Sequence, residues 1–136
     1  MSDHAAIIVR KGNSVLFVKR SMKKRILPGA WAFPSGTKPE HETLFETAKR
    51  EAMEELGVEV RPDSVLCTQE LPEFNDTLHF VLCSITKGEP SIREPNEIDQ
   101  LLWMPFQDFL KKHDDSQIGH GLIYLRTQPK LCAKLS

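Results

Sequence analysis

Cysteine is scarce in this chain. The three present, Cys67, Cys83 and Cys132, are odd in number and far apart, and no C-x-x-C pair occurs. Neither a disulfide framework nor a zinc ribbon is therefore suggested. Cys67 and Cys83 sit in apolar, strand-like runs and read as small buried side chains in a reducing compartment. Long hydrophobic runs are missing as well: nothing approaches the ~20 apolar residues of a membrane span. The N-terminal MSDHAAIIVRKG has too short an apolar run for a signal peptide and lacks a small-residue cleavage site. A cytoplasmic protein with no membrane partner is expected. There is no excess charge of one sign: 18 Lys and Arg face 19 Asp and Glu, for a net charge of −1. No global field steers such a chain to nucleic acid, and aromatics at 7% offer little stacking surface. No repeat, low-complexity tract or Gly/Ser-rich linker divides the sequence, and no Ser-His-Asp or Cys-His set points to covalent catalysis.

What remains is one domain, residues 1–136, with 40% hydrophobic residues and enough chain to bury a core. Ala5 to Val9 and Ser14 to Lys19 are short apolar runs around the turn signal Lys11-Gly12-Asn13, which predicts a hairpin. A short aromatic strand follows at Trp31 to Phe33, between Pro28-Gly29 and Pro34. Thr43 and Glu46 have capping-box spacing and Gly57 suits the residue after a helix, so a helix is expected over Leu44 to Leu56. Val65 to Gln69, Leu78 to Thr86 and Ile98 to Met104 are rich in strand formers. A helix after Pro105 ends near Lys112, and Ser116 is the expected cap of a last helix through Arg126. Strands around one central helix, with helices at the end, mean α+β or an α/β sandwich.

The central helix carries the chemistry. Glu51, Glu54 and Glu55 fall within an arc of roughly 100° at 3.6 residues per turn, beside an apolar stripe of Phe45, Ala48, Ala52 and Leu56. Like charges at these spacings repel by a few tenths of a kcal/mol each. A solvated helix interleaves its signs, whereas Glu51 to Glu59 holds four acids and no base. A divalent cation would compensate, and clustered carboxylates suit Mg²⁺ or Mn²⁺ better than zinc.

The stretch GTKPEHETLFETAKREAMEELGV, from Gly36 to Val58, resembles the signature box of the Nudix hydrolases, with all of the box's fixed positions filled. The resemblance implies an α/β/α sandwich: a mixed sheet with the box helix on one side and C-terminal helices on the other. It implies Mg²⁺-dependent cleavage of a nucleoside diphosphate linked to another group. Glu51, Glu54 and Glu55 match the metal-ligating positions, and Gly36 matches the glycine whose carbonyl commonly joins them. Glu42, Arg50 and Gly57 match structural positions, and Arg50 is also spaced to pair with Glu46. Glu54 is one candidate for the base. Glu97, six residues before Trp103, is another, as a glutamate at that kind of position serves several relatives; Glu94 and Asp99 compete with it. Two departures from the commonest pattern concern the turn: Ser35 replaces the first glycine of Gly-Gly, and His41 replaces the glycine before Glu42. Histidine is among the residues that tolerate positive φ. His41 reads as filling a turn, with contact to substrate as the alternative.

Lys19 to Arg25 holds five positive charges in seven residues and leads towards Trp31. Arg20 resembles a phosphate- or ribose-contacting position, and its fork suits bidentate binding; Lys23, Lys24 and Arg25 read as a solvated loop. Phe74, Asn75 and Phe80 follow the box where relatives place substrate-selective residues, and stacking plus an amide would hold a purine. Phe74 and Phe80 also read as core or loop anchors. Pro72 lies near a proline position associated with ADP-ribose hydrolases. The favoured partner is a small nucleotide: a nucleoside triphosphate, oxidised purines included, cut to monophosphate and pyrophosphate. ADP-ribose or a dinucleoside polyphosphate is the second reading, and a non-catalytic nucleotide- or RNA-binding module the third. A monomer and a homodimer are both compatible with the sequence.

Overall fold

The computed structural model describes residues 2–135. Seven strands form one mixed sheet: β1 (Ser2–Lys11), β2 (Ser14–Arg20), β3 (Trp31–Ala32), β4 (Ser35–Lys38), β5 (Glu59–Leu71), β6 (Asp76–Lys87) and β7 (Ile98–Met104). The helices are α1 (Leu44–Leu56), α2 (Phe106–Lys112), α3 (His120–Arg126) and α4 (Pro129–Ala133), with short 3₁₀ turns at Pro72–Phe74 and Asp115–Gln117. β1 is central. It runs parallel to β6 along nearly its whole length and antiparallel to β4, and it meets β2 only at the hairpin end. β5 continues the sheet beyond β6, while β2 carries β3 and β7.

Both faces of the sheet are covered, and strand alternation decides which residue goes where. Ala5, Ile7 and Val9 of β1, with Leu16, Val18, Val81 and Cys83, pack against Ala48, Ala52 and Leu56 of α1. Their neighbours Ala6, Ile8, Val15, Phe17, Phe80 and Leu82 point the other way, onto Phe106, Phe109, Ile118, Leu122 and Leu125. Fully burying each large apolar side chain contributes about 1.5–3 kcal/mol, so two core layers hold the α/β/α sandwich together. No helix among the described residues is long and apolar enough to cross a membrane.

The expected hairpin, the Trp31 strand, α1, β7 and α2 are all present. Five features differ from expectation. β4 was not expected: Ser35–Lys38 has no apolar alternation and is a strand because Asp3–Ala6 of β1 pairs with it. β5 is much longer than Val65 to Gln69, and it absorbs Pro62 through register shifts on either side, as a bulge allows where a donor is missing. Ser116 caps no long helix. Asp114 caps the 3₁₀ turn instead, and Ile118, buried in the core, bridges Trp31 and keeps the chain extended until His120. Finally, Phe45 is 37% exposed and does not share the apolar stripe, while Cys67 is only half-buried. Cys83 and Cys132 are buried; all three cysteines are free, and burial pushes the Cys83 thiol up to about 12.

Candidate active site

The start of α1 is fixed by its cap: Glu46 N–H donates to Thr43 Oγ1 at 3.1 Å, and Thr43 N–H donates to Glu46 Oε1 at 2.8 Å. Glu46 is thereby engaged, and Arg50 does not pair with it as the spacing allowed. Arg50 instead grips Glu42 with two bonds, Nε to Oε2 at 2.7 Å and Nη2 to Oε1 at 3.1 Å. Thr47 Oγ1 adds a third bond to Glu42 Oε1, at 2.8 Å. This clamp ties the Pro39–Glu42 loop to the helix. The Arg50 guanidinium, aided by the Thr47 hydroxyl, holds the Glu42 carboxyl down at about 2. The other side of Arg50 faces the acidic stripe, with Nη1 2.9 Å from Glu51 Oε1 and 3.1 Å from Glu54 Oε2.

Gly36 sits in β4 directly under Glu51. A Cβ there would lie 2.1 Å from Glu51 Cδ, so only glycine lets the strand approach the helix this closely. Glu55, one turn on, is the only carboxyl or basic side chain buried among the described residues, at 7% exposure. Burial, then the Glu51 carboxylate and a hydrogen bond to it, then Glu94 and Glu97, push its carboxyl up to about 9. Its Oε2 is buried with no hydrogen-bond partner.

Beyond α1 the chain turns at Gly57 (φ +71°), whose missing side chain also makes room for the Arg93 guanidinium. Ser91 and Arg93 donate their amides to the carbonyls of Leu56 and Glu55, at 3.0 and 3.1 Å. The segment before β7 is thus laid across the end of α1. Glu94 and Glu97 are carried to the acidic face: burial, followed by Glu51, Glu97 and Glu54, raises the Glu94 carboxyl, and Lys24 opposes this. Glu97 is ion-paired with Lys24. Asp99 stands apart, accepting the Met22 amide at 3.3 Å. Among the three outer candidates the structure brings Glu94 and Glu97 to the box glutamates and leaves Asp99 aside.

As they stand, no three His, Cys, Asp or Glu side chains among the described residues are arranged to hold a metal ion. Glu51 and Glu54 are instead both paired with Arg50. The chemistry nevertheless fits a divalent cation: all-oxygen donors, accumulated negative charge and an orphaned buried oxygen on Glu55. His41 is exposed and has no positive φ; among the described non-glycine residues only Leu27 (φ +49°) and Asn75 (φ +54°) do. The left-handed turn expected at His41 is therefore not formed.

On the other face of β4 lies a cavity of about 280 Å³. Arg20 and Leu27 form one wall, Phe74 and His120 another, and Phe80, itself fully buried, closes it from the core. The Phe74 and His120 rings are 5.2 Å apart. Arg20 is at the end of β2 as expected, but its Nε and Nη2 already donate to the carbonyls of Ile26 and Leu27, at 2.7–3.2 Å. Burial lowers its pKa and Glu97 opposes that. Asn75 is a turn residue, its carbonyl accepting the Ser2 amide at 2.9 Å. Sequence reasoning missed His4, Asp76 and His120 in the cavity wall. His4 is in phase with Ala6, and Asp76 with Leu78 and Phe80, so polar residues at inward strand positions were the available signal.

Comparison with known proteins agrees with this architecture. The NUDIX domain family matches residues 2–124. An 8-oxo-dGTP diphosphatase of Proteus vulgaris is 33% identical over 87 residues, covering 62% of this chain and 77% of that protein. Nudix hydrolase 2 of Arabidopsis thaliana is 26% identical over 110 residues, 79% of this chain but only 40% of that protein. The crystal structure of a MutT NUDIX hydrolase from Burkholderia pseudomallei superposes with a TM-score of 0.72 at 18% identity, over 99% of this chain and 98% of that one. With the box residues assembled at the junction of β4 and α1, the chain belongs to the Nudix hydrolase family.

Proposed function

We propose that the chain hydrolyses the pyrophosphate bond of a nucleoside triphosphate, oxidised purine nucleotides included, to a monophosphate and pyrophosphate. Hydrolases of this family work with divalent metal ions; Mg²⁺ is the proposed cofactor and Mn²⁺ its substitute. The observation that carries this reading is Glu55, a buried carboxyl with an unpartnered oxygen among Glu51, Glu94 and Glu97. Leaving such an oxygen unpaired costs roughly 1–3 kcal/mol, and the surrounding like charges add to it.

Glu51, Glu54 and Glu55, with the Gly36 carbonyl, are the residues that would hold the cation. When bound it supplies charge neutralisation for the phosphates and a more acidic water for attack. The Glu42 clamp does not depend on Glu51 or Glu54, so Arg50 keeps the loop docked whichever partner those two acids take. Glu54, half-exposed, and Glu97 are the candidates to take the proton from the water. Arg20 contributes positive charge at the cavity wall. With Nε and Nη2 committed to carbonyls it does not offer a free fork, so Arg20→Lys should keep much of the KM that Arg20→Ala loses.

The named activity of the Proteus vulgaris relative supports an oxidised purine substrate. So does the cavity of about 280 Å³, just below the roughly 300–1,000 Å³ typical of ligand sites, which suits one base better than two nucleosides. The test is a Mg²⁺-supplemented panel of nucleoside triphosphates, 8-oxo-dGTP, ADP-ribose and diadenosine polyphosphates, with products identified by mass. The highest kcat/KM is expected for a triphosphate. ADP-ribose as best substrate, or nucleotide retained without metal-dependent turnover, would overturn the reading.

A further inference from the structure

The loop from Ser21 to Ala30, between β2 and β3, joins the cavity to the acidic cluster. Ile26 and Leu27 form part of the cavity wall, while Lys24 is ion-paired with Glu97 beside the box glutamates. Three bonds lay the first turn of the loop along Asn96 to Asp99. The Ser21 amide donates to the Glu97 carbonyl at 2.9 Å, the Met22 amide to Asp99 Oδ2 at 3.3 Å, and Lys23 Nζ to Asn96 Oδ1 at 3.4 Å. The docked loop therefore keeps Lys24 at Glu97 whichever partner its ammonium takes. Arg50, a second cation at the acidic face, is committed to Glu42, Glu51 and Glu54. The Lys24 ammonium has three N–H donors, and the Lys24 and Glu97 side chains are 26% and 48% exposed. A pair this open to solvent contributes little to the fold. Its reach is electrostatic: Lys24 opposes the rise of the Glu94 carboxyl, and Glu97 favours the charged form of Arg20 in the cavity wall. Glu97 thus lies between the cavity and the acidic cluster, in the field of a cation from each. A phosphate chain running from a base in the cavity to the box glutamates passes this point.

We propose that Lys24 is a phosphate-binding residue that exchanges partners, holding Glu97 in the free protein and a phosphate oxygen of the bound nucleotide; this rests on the triphosphate reading above. The exchange breaks no covalent bond and moves no proton. One ammonium serves two anions in turn, so the charge of the substrate frees the acid that is a candidate to take the proton from water. Lysine suits the task better than arginine, because a compact ammonium on a flexible stem has no fork for one carboxylate to hold with both oxygens.

Binding of inorganic pyrophosphate to the full chain in EDTA, measured by calorimetry, tests the exchange apart from hydrolysis. The proteins are the wild type, Lys24→Met, Glu97→Gln and the double variant, each with its thermal unfolding checked. In the Glu97→Gln background, Lys24→Met should weaken pyrophosphate binding on the order of tenfold, the scale of a lost charge-assisted hydrogen bond. In the wild-type background the loss should be smaller by about two- to fivefold, the scale of a partly exposed ion pair that has to open first. Lys24→Arg, which keeps the charge, should retain most of the affinity. In turnover of a triphosphate with Mg²⁺, Lys24→Met should raise KM with little change in kcat, since Glu97 is then free from the start. An equal loss in both backgrounds, no measurable pyrophosphate binding, or wild-type affinity in Lys24→Met overturns the proposal. A pair that only holds the loop gives another pattern, each single variant weakening binding and the double being no worse than either, and that overturns it as well. Triphosphate turnover alongside any of these results spares the hydrolase reading. The expected cycle in a chain that turns over no triphosphate would do the reverse.

Discussion

Glu42 and Glu55 belong to the same loop-and-helix unit, yet the protein treats their carboxyls in opposite ways. Glu42 receives two bonds from Arg50 and one from Thr47, and its carboxyl is held at about 2. Glu55 is buried among other acids and pushed up to about 9. The first arrangement is complete as it stands, because every charge in it has its partner. The second is incomplete, since desolvation and like charge both act against ionisation and nothing in the protein answers them. A fold keeps such a site when something outside the chain completes it. The pair therefore separates the part of the box that builds the loop from the part that does chemistry.

The widest gap between them should appear in turnover. Glu55→Gln, and Glu54→Gln beside it, are expected to lower kcat by at least ~100-fold, the scale for losing a catalytic acid–base or electrostatic group. Thermal stability in EDTA should hold or rise: the buried Glu55 carboxyl must take up a proton that an amide does not need, and Glu54→Gln removes like-charge repulsion. Near-normal turnover, or a badly unfolded variant, would break the assignment. Arg50→Ala should act the other way round. Stability in EDTA falls, and kcat/KM drops roughly ten- to hundredfold, as is usual when a residue orienting ligands is lost. Arg50→Lys should recover only part, since lysine lacks the fork that spans both oxygens of Glu42. Calorimetric unfolding and steady-state kinetics on the same preparations check both halves.

The two sides of this comparison were not equally legible in the sequence. The clamp residues and the acidic helix are local: Thr43, Glu46, Arg50 and Gly57 announce caps and spacing within about twenty positions, and α1 begins and ends where they predict. Long-range placement is what stayed hidden. That Glu55 is buried while Phe45 is exposed follows from how α1 sits on β4, and β4 itself exists only by pairing with β1. Arg20 had a position in the sequence but not a partner, and its commitment to the Ile26 and Leu27 carbonyls depends on a loop with Leu27 in the left-handed region. His4 and Asp76 are 72 residues apart in the chain and adjacent only across the parallel β1–β6 pair, a contact no local periodicity encodes.

A smaller effect should distinguish the outer acids. Glu94 and Glu97 reach the box glutamates through the segment that Ser91 and Arg93 pin to the end of α1, while Asp99 serves the Met22 amide. Glu97→Gln is expected to reduce kcat about tenfold or more, within the range for general acid–base groups and their supports. Glu94→Gln should have a lesser effect, and Asp99→Asn should leave kcat within about twofold. Equal, small changes for all three would place the base within α1, at Glu54.

The smallest effect is in the pH dependence of stability, where the two carboxyls should act in opposite directions. Glu42 has a folded pKa of about 2, below its ordinary 4.5, so its contribution is present above 4.5 and is lost as pH falls from there towards 2. Glu55 has a folded pKa of about 9, above its ordinary 4.5. Its contribution is fully present below 4.5 and is lost as pH rises from there through about 9. Urea midpoints measured in EDTA across this range should therefore show an acid limb that Glu42→Gln flattens and an alkaline limb that Glu55→Gln flattens. The second flattening will be partial, because the raised carboxyl of Glu94 acts with the same sign. Added Mg²⁺ should lift the alkaline limb of the wild type and not that of Glu55→Gln, since a cation favours the ionised carboxylate. An alkaline limb identical in both proteins would mean that Glu55 is not the buried acid on which the comparison turns.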